Sequence, residues 1–434
     1  MLVFSGPMKQ RVAAILLVAL AAPIVLVAQA TRVGVQCDPD NGGLTLPAGF
    51  CALVVAAETG GARHLAVAAN GDVYVALKTV DKPSGVVALR DTNGDGRADV
   101  RERFGDTGGT GLILRNGYLY MSQDTAVVRY PVKDGQLLPT GPVETVVGGF
   151  ARQTTHATKA LTFDERGGLY VNVGSFTNSC AEPVPPQPKA VGLNPCAQQE
   201  YSGGVWRFDA NRTGQVFPKD GTRYMRGLRQ TNALRWNPLV NALYLAQHGL
   251  GGFAEWPEYY NEEQNAENPA EELLRVDEGS TFSYPYCYFD RLQGKYVMSP
   301  AYGGDGKKVG DCGKYRQPVA SYPGHWAPND MLFYTGSQFP RRYYGGAIIA
   351  FHGGNGRAPS QLQGFNVAFQ PMQEGKASGP FEVLADGFTG KRVLSDVKEA
   401  AARPMGLAQG PDGSLYVSDS IKGKIWRVVY RGLP

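Results

Sequence analysis

A strand phrase that recurs along the chain constrains its fold more than any other feature of the sequence. Each copy has a short apolar run, a turn containing glycine or proline, and an alternating run that in most copies is centred on Leu-Tyr or Val-Tyr. Two such runs joined by Asn-Gly, Asp-Gly or Asn-Pro are typical of a β-hairpin. The copies cover residues 64–76, 110–122, 159–173, 232–246 and 405–418, with a weaker copy at 330–352 in which Ile349 replaces the tyrosine.

Hairpins repeated at uneven intervals indicate a β-propeller. Further strands are predicted after several copies, at residues 85–90, 126–130, 204–208 and 423–430, so that a unit has the four strands of a blade. Six units predict an all-β, six-bladed propeller with loop insertions on the functional face. An open sandwich is the alternative, but six similar hairpins are hard to place in two sheets. A short helix is expected within residues 254–274.

An export signal is predicted at the N-terminus. Two basic residues precede an apolar run at residues 12–28, and the run ends in the Ala-Gln-Ala of residues 28–30, as in a cleavable secretory signal. We expect residues 1–30 to be removed, which leaves residues 31–434 as one propeller domain in the periplasm or outside the cell, with no stable membrane span. A retained membrane anchor is the alternative that the length of the run allows.

Cysteine content and charge narrow the class of protein further. Six cysteines favour disulfides in an oxidising compartment, and of the fifteen possible connectivities the close spacings favour Cys37–Cys51, Cys180–Cys196 and Cys287–Cys312. A net charge of only +4, with scattered basic residues, argues against a nucleic-acid partner. The sequence has neither a phosphate-binding glycine loop nor a G-x-S-x-G motif, which argues against nucleotide cofactors and common serine hydrolases.

One segment has the pattern of a calcium-binding loop. Residues 91–102 read D-T-N-G-D-G-R-A-D-V-R-E and match the twelve-residue loop of an EF-hand. The predicted oxygen ligands are Asp91, Asn93, Asp95, the backbone carbonyl of Arg97, Asp99 and Glu102. Because residues 85–90 and 100–104 read as strands, the loop is predicted to lie in a hairpin, which a bound ion would stiffen. An unliganded Asp/Gly turn is the alternative.

Histidines and arginines occupy equivalent places in several repeats. Four of the five histidines flank a copy of the phrase and the fifth lies in a Gly-His-Trp-Ala-Pro loop: His64, His156, His248, His352 and His325. Arginines lie at blade entrances: Arg63, Arg229, Arg357 and Arg403. These places converge on the channel of a propeller, where several guanidinium groups suit a polycarboxylate. Each residue taken alone is more often structural.

As an ordered set, the segments resemble the soluble PQQ-dependent sugar dehydrogenases, most closely their L-sorbosone dehydrogenase and pyranose dehydrogenase branch. The resemblance spans residues 50–430, and the segments that carry it are ARHLAVAANGDVYVA, ALRDTNGDGRADV, THATKALTFDERGGLYVNVGS, RGLRQTNALRW, YPYCYFD, HWAPNDMLFYTGSQFP, GGAIIAFHGG and ARPMGLAQGPDGSLYVSD. The fold of that family is a six-bladed propeller, in agreement with the repeat count.

The resemblance implies a pyrroloquinoline quinone (PQQ) held over a calcium ion at the channel mouth. It implies that His156 is the general base that takes a hydroxyl proton while hydride passes to the quinone, and that Arg229 stabilises the developing charge. The cofactor-binding residues that it implies are Arg63, Arg229, Gln230, His352 and Arg403. It implies calcium ligands from the carbonyls of Gly249 and Leu250, and substrate contacts from His325 and Trp326.

The resulting expectation is an exported quinoprotein that oxidises a sugar, or a related polyol or aldose resembling L-sorbosone, and passes electrons to a c-type cytochrome or a quinone. Two alternatives stay open: a non-catalytic carbohydrate- or protein-binding propeller that has lost its cofactor, and a calcium-dependent propeller lactonase. The chain departs from its relatives at residues 352–357, where a tryptophan is missing, and at residues 251–255, where Gly-Gly-Phe-Ala-Glu replaces an acidic pair.

Overall fold

Six four-stranded antiparallel blades account for most of the strands that the structure describes. The computed structural model describes residues 1–4, 6, 35–78, 84–182 and 187–432. The predicted export signal lies outside these residues, apart from residues 1–4 and 6.

The strands of blades 1 to 3 follow the chain from the inside of the propeller outwards. Blade 1 consists of Ala62–Val67, Val73–Leu77, Val86–Arg90 and Val100–Phe104. Blade 2 consists of Leu112–Arg115, Tyr118–Ser122, Val127–Pro131 and Glu144–Gly148, with Gln215–Val216 added at its edge. Blade 3 consists of Leu161–Phe163, Gly168–Val173, Gly204–Asp209 and Thr222–Arg226, with Ser280–Thr281 at its edge.

Blades 4 and 5 have the same order, whereas blade 6 takes its outer strand from the other end of the chain. Blade 4 consists of Ala233–Asn237, Ala242–Gln247, Glu271–Val276 and Ala320–Tyr322. Blade 5 consists of Pro328–Phe333, Ala347–His352, Phe365–Gln370 and Glu382–Ala385. Blade 6 consists of Pro404–Gln409, Leu415–Asp419 and Ile425–Tyr430, and Phe50–Ala56 closes it.

The remaining elements are short. Two small hairpins are formed by Cys287–Asp290 with Lys295–Met298 and by Met372–Gln373 with Lys376–Ala377. The α-helix of the described chain is Glu262–Glu267, capped by the Asn261 side chain; it confirms the short helix predicted in this region. The 3-10 turns are Asn41–Gly43, Ala197–Glu200, Phe253–Glu255, Pro300–Tyr302, Gly310–Lys314, Arg341–Tyr343, Asn355–Arg357 and Val397–Glu399. No helix of the described residues is long and apolar enough to cross a membrane.

Every copy of the strand phrase forms the inner hairpin of a blade, as predicted. In blade 2 the hairpin turn is Asn116-Gly117, with φ of 48° and 78°; a two-residue turn with two positive φ values matches the twist of the strands it joins. The inner strands of successive blades are neighbours in one closed cycle, so they line a central channel. The six-bladed propeller is thereby confirmed.

The apolar core is divided into layers between successive blades. Tyr74, Tyr120, Tyr170 and Tyr244 each pack toward the following blade. In blade 5 the side chain facing blade 6 is that of Ile348, whereas Ile349 packs toward blade 4. The predicted equivalence of Ile349 with the tyrosines is therefore wrong by one residue, because adjacent strand residues point to opposite faces.

All three predicted disulfides are present: Cys37–Cys51, Cys180–Cys196 and Cys287–Cys312.

Candidate active site

Predicted functional side chains from five blades lie around the mouth of the central channel, on the face where first strands begin and second strands end. They are Arg63 of blade 1, His156 before blade 3, Arg229 and His248 of blade 4, His352 of blade 5 and Arg403 before blade 6. Burial lowers the pKa of His156 to about 3 and that of His248 to about 4, and the charge of Arg229 lowers both. The structure therefore brings these histidines and arginines together.

A buried belt of hydrogen bonds connects the blade entrances across the channel. His64 Nε2 lies 2.8 Å from the carbonyl oxygen of Asn329. The Asn329 Oδ1 accepts a hydrogen bond of 3.0 Å from Asn232 Nδ2, and the Asn232 Oδ1 accepts one of 2.9 Å from Thr158 Oγ1. The belt fixes the inner strands of blades 1, 4 and 5 relative to the loop that carries His156.

Gln230 belongs to this belt. Its Nε2 donates to Thr158, and its Oε1 accepts a hydrogen bond of 3.0 Å from Asn172 Nδ2. Only 2% of the residue is exposed, so both ends of its amide are engaged inside the protein. The contact with a cofactor that the resemblance implied for Gln230 stays a prediction.

His156 is held as a neutral imidazole of one tautomer. Its Nδ1 lies 2.9 Å from the carbonyl oxygen of Ser175; a carbonyl only accepts, so Nδ1 carries the proton and Nε2 keeps a lone pair. Burial, together with the charge of Arg229, lowers the pKa of His156 to about 3, so the ring is neutral at neutral pH. Nε2 can therefore accept a proton from a ligand.

Asn178 connects Arg229 to the glycine-rich loop after the second strand of blade 4. Its Oδ1 accepts hydrogen bonds of 2.8 Å from Arg229 Nε and from the backbone N–H of Gly251. Its Nδ2 donates to the carbonyl oxygen of Gly251, again at 2.8 Å. One amide side chain therefore fixes both the guanidinium and the loop.

Glu271 holds the same loop from another side. One of its carboxylate oxygens accepts a hydrogen bond of 2.9 Å from Gly249 N–H, and the other accepts one of 3.1 Å from Ala327 N–H. Burial raises the pKa of Glu271 to about 7. The carbonyl oxygens of Gly249 and Leu250 accept no hydrogen bond from any residue that the structure describes, which leaves them available to a hard cation.

Arg403 lies beside His352 at the entrance to blade 6. Its Nε donates to the carbonyl oxygen of His352 at 3.0 Å, and its Nη2 donates to that of Gly353 at 2.6 Å. The His352 Nε2 lies 2.7 Å from Ser420 Oγ. Burial lowers the pKa of Arg403 to about 10 and that of His352 well below its usual value, and the charge of Arg403 lowers the latter further.

Arg229 and Arg403 lie at the mouth without an ion pair to a described carboxylate, and Glu271 and Asp419 raise their respective pKa values only from a longer range. Within the described parts of the chain, neither Arg229 nor Arg403 has a carboxylate oxygen within 4.0 Å of its guanidinium nitrogens. Burial lowers the pKa of both. Because partly buried cations are stable only when they are compensated, this arrangement fits an anionic ligand.

Three further predicted residues lie in loops around the mouth. His325 Nε2 lies 2.8 Å from the carbonyl oxygen of Asn265, and the Trp326 ring packs edge-on against Phe351 at 5.2 Å. Arg357 is buried in an ion pair of 3.1 Å with Glu267. Arg357 therefore ties its loop to the helix, which is a structural role.

The acidic hairpin of residues 91–102 connects the third and fourth strands of blade 1, so it lies on the face opposite the mouth. The two carboxylate oxygens of Asp91 accept hydrogen bonds of 2.7 Å from the N–H groups of Gly94 and Gly96. Glu102 lies on the fourth strand, opposite Ala88. No cluster of three or more His, Cys, Asp or Glu side chains suited to a metal occurs in the described chain, so calcium binding by this hairpin stays a prediction.

Sequence reasoning missed the residues that position the site. Asn178 lies in an irregular insertion, and no pattern in the sequence distinguishes it. Glu271 offered a signal, because a carboxylate at the start of the apolar strand Glu271–Val276 implies a buried acid that needs a partner.

The chemistry of these groups fits the cofactor and ion that the resemblance implies. A planar quinone bearing carboxylates needs guanidinium forks, and Arg229 and Arg403 lack carboxylate partners in the described chain. A calcium ion needs hard oxygen ligands, and the carbonyls of Gly249 and Leu250 provide two in a loop that Glu271 and Asn178 fix.

A family model described as TrAA12-like matches residues 44–431. The fold is similar to the holo form of the pyranose dehydrogenase PQQ domain from Coprinopsis cinerea, with a TM-score of 0.70 and 18% identity over 89% of this chain and 97% of that one. It is also similar to the calcium structure of a Trichoderma reesei protein of Carbohydrate-Active Enzymes Family AA12, with a TM-score of 0.72 and 18% identity over 92% and 99% of the two chains.

Two further relatives are more distant or cover less of the chain. The soluble aldose sugar dehydrogenase from Escherichia coli, in its apo form, has a TM-score of 0.55 and 18% identity over 88% of this chain and 100% of that one. An uncharacterised protein from Borreliella burgdorferi is 25% identical over 206 residues, which are 47% of this chain and 48% of that protein. The chain thus spans about half the length of this curated relative.

Proposed function

The chain belongs to the TrAA12-like family, and from this premise we propose that it is an exported PQQ-dependent dehydrogenase of a sugar, or of a related polyol or aldose resembling L-sorbosone. The structures with a similar fold include a pyranose dehydrogenase and an aldose sugar dehydrogenase. The three disulfides support export to the periplasm or the medium, because disulfides persist in oxidising compartments. The proposed electron acceptor is a c-type cytochrome or a quinone.

In this proposal His156 handles the substrate proton. Oxidation of a carbinol removes the hydroxyl proton and, from the same carbon, a hydrogen with its electron pair. The Nε2 of His156 accepts the hydroxyl proton, because the Ser175 carbonyl fixes the other ring nitrogen as a donor. The lowered pKa of His156, caused by burial and then by Arg229, keeps this nitrogen unprotonated before the reaction.

The arginines and the carbonyl loop hold the cofactor. Arg63, His352 and Arg403 bind its carboxylates, Arg229 compensates charge at its carbonyl groups, and the Gly249 and Leu250 carbonyls hold calcium. When bound, PQQ supplies a two-electron acceptor and calcium supplies a Lewis acid. Asn178 and Glu271 position Arg229 and the loop without touching the substrate.

The observation that carries the proposal is the pairing of a neutral His156 with the guanidinium groups of Arg229 and Arg403, which have no carboxylate within ion-pair distance in the described chain. A site built only for neutral ligands has no reason to bury such cations.

Reconstitution of the purified protein with PQQ and calcium tests the proposal. We expect a cofactor-dependent absorbance and reduction of a redox dye with at least one member of a sugar and polyol panel. Arg403→Gln should weaken PQQ binding by about tenfold or more, because a charge-assisted contact with a cofactor carboxylate is lost. Arg341→Gln, in a 3-10 turn on the opposite face, is the matched control.

The same preparation distinguishes the alternatives. Sugar binding without a PQQ spectrum and without turnover would favour a binding propeller. Calcium-dependent hydrolysis of lactones without PQQ would favour a lactonase. Either result would overturn the dehydrogenase proposal.

A further inference from the structure

A buried lysine to which the proposed function gives no role lies three residues after His156. Lys159 is completely buried, and among the described residues no carboxylate oxygen lies within 4.0 Å of its Nζ. Burial lowers the pKa of Lys159 to about 8, and Asp124 attracts its charge only from a longer range. Because a cation buried without an ion pair costs stability, the contacts of this amine indicate what it does.

Both hydrogen bonds of the Lys159 ammonium group go to the loop that carries His156. Its Nζ donates to the carbonyl oxygen of Ala157 at 2.9 Å and to Gln153 Oε1 at 3.4 Å. The Phe150 ring lies on the same amine, with its centre 5.4 Å from Nζ. We define the Lys159 ammonium, the Ala157 carbonyl and the Gln153 amide as the lysine clamp.

The second arm of the clamp reaches the partner of the His156 ring. The Nε2 of Gln153 donates to the carbonyl oxygen of Gly174 at 2.9 Å and to that of Ser175 at 3.4 Å. The Ser175 carbonyl is also the one that lies 2.9 Å from His156 Nδ1. The clamp therefore holds the backbone directly after His156 and the acceptor that fixes its tautomer.

The loop depends on such side-chain contacts. Within the described chain, no backbone–backbone hydrogen bond involves residues 151–158. His156 has a φ of 51°, a left-handed conformation that persists in a residue with a side chain only where its surroundings enforce it. Thr155 Oγ1 ties the preceding residue to the Phe176 carbonyl at 2.9 Å, but Thr155 is exposed, so water competes for that bond. The buried clamp has no such competitor.

We propose that Lys159 is a positioning residue, which through the lysine clamp holds the His156 backbone and the ring that presents Nε2 to a ligand. The inference rests on the proposed function for the reaction in which this nitrogen takes a proton. Lys159 does not touch the substrate, because it is completely buried.

NMR of the His156 ring tests this inference in the apo protein, without turnover. Isotope-labelled histidine reports which ring nitrogen carries the proton in each of the five histidines, and His156→Gln assigns the signal. In the wild type we expect a neutral ring with the proton on Nδ1 between about pH 5 and about pH 8. Lys159→Met keeps an unbranched side chain but has no donor, so the ring should become a mixture of tautomers with a pKa closer to its ordinary value.

Two controls separate positioning from charge and from stability. Lys219→Met removes the same charge at an exposed position between strands Gln215–Val216 and Thr222–Arg226. Leu53→Ala makes a cavity in the closing strand of blade 6 and lowers the Tm. Both variants should leave the His156 signals unchanged.

Turnover is the second measurement. In PQQ-reconstituted protein, Lys159→Met should lower kcat by about 10- to 100-fold, because a small displacement of a reacting group has an effect of this size. The KM for the sugar and the Kd for PQQ should stay within about twofold of wild type, since no binding contact is removed.

The possible outcomes separate this inference from the dehydrogenase proposal. If Lys159→Met does not fold, Gln153→Leu decides, because Gln153 is half-buried and forms the second arm of the clamp. An unchanged tautomer overturns the positioning role even if the pKa rises, since the loss of a nearby cation alone has that effect; so does an unchanged kcat in active protein. A changed ring in a wild-type protein without PQQ-dependent turnover keeps the clamp and removes the dehydrogenase.

Discussion

At the scale of single residues, burial has a larger effect on the pKa values of the mouth histidines than the neighbouring charges and hydrogen bonds have. His64 lies 3.9 Å from Asp330, yet burial still lowers its pKa. Burial also lowers the pKa of His325. A neutral imidazole serves as an acceptor or a base. In His64, His248 and His325 a backbone carbonyl contacts Nε2. In His156 the Ser175 carbonyl contacts Nδ1 instead, which leaves Nε2 as the acceptor.

Replacement of His156 is the first test at the scale of single residues. In PQQ-reconstituted protein, His156→Gln should lower kcat by about 10²- to 10⁴-fold, because a positioned base contributes that much. Steady-state dye reduction measures the effect, and the PQQ absorbance and the Tm should stay close to wild type. A variant that loses PQQ and activity together would assign His156 to cofactor binding instead of proton transfer.

A second prediction concerns Glu272, which is buried beside Glu271. Its carboxylate accepts hydrogen bonds from the hydroxyl of Tyr296 and from Gln247 Nε2, and burial raises its pKa to about 7 from 4.5. The folded state therefore holds this proton more tightly than the unfolded state. This group makes the protein lose stability as the pH rises from about 4.5 to about 7.

Glu272→Gln removes that titration. Relative to wild type, its free energy of unfolding should rise by about 3 kcal/mol between pH 4.5 and pH 8, at 1.36 kcal/mol for each pKa unit. Urea unfolding at the two pH values measures the difference. Glu382→Gln, which breaks an exposed ion pair with Arg342, should show almost no such trend. Parallel pH curves for wild type and Glu272→Gln would contradict the assignment.

At the scale of elements, the site is assembled from loops of different blades. The insertion of blade 3 contributes Asn178, and the third strand of blade 4 contributes Glu271; both fix the carbonyl loop of residues 249–251. The sequence could indicate that this loop matters, because the resemblance placed calcium ligands there. It could not indicate Asn178, since contacts between insertions depend on how two blades pack and not on a local period.

The carbonyl loop of residues 249–251 gives a testable prediction at the scale of elements. Asn178→Ala removes its hydrogen bonds to Gly251 and Arg229, so the calcium affinity of the protein should fall by about 10- to 100-fold, as for other residues that orient ligands. Calorimetric titration with calcium in the presence of PQQ measures it. Asn211→Ala, in an exposed turn after the third strand of blade 3, is the control. An unchanged calcium Kd in Asn178→Ala would show that the carbonyl loop does not hold the ion.

At the scale of the whole molecule, the inner hairpins were predictable because their side chains alternate under the same packing constraint in every blade. The outer strands were harder to predict from the sequence. Glu382–Ala385 and Ala320–Tyr322 are short strands at the edges of blades, where one side has no neighbour and the apolar pattern is weak. The pairing of Phe50–Ala56 with the C-terminal strand escaped prediction because no local signal specifies a partner so far along the chain.

That pairing closes the ring, and the acidic hairpin of blade 1 supports it. Arg97 donates to the carbonyl of Val54 at 2.9 Å and pairs with Asp38 at 2.5 Å, and the Ala98 N–H donates to Val55 at 2.9 Å. The hairpin that reads as a calcium loop therefore lies against the closing strand of blade 6. A metal bound in it would stabilise the contact between the first and last blades.

Closure should therefore control the stability of the whole propeller. Leu53 of the closing strand is fully buried, so Leu53→Ala should lower the free energy of unfolding by about 2 to 5 kcal/mol, measured by urea unfolding. Val383→Ala, in the outer strand of blade 5, is the control, because Val383 is 44% exposed and should cost far less. Since a closed ring unfolds as one unit, Leu53→Ala should shift a single transition in both far-UV circular dichroism and tryptophan fluorescence. Separate transitions for the two signals would mean that blade 6 opens by itself and that the other five blades do not depend on its closure.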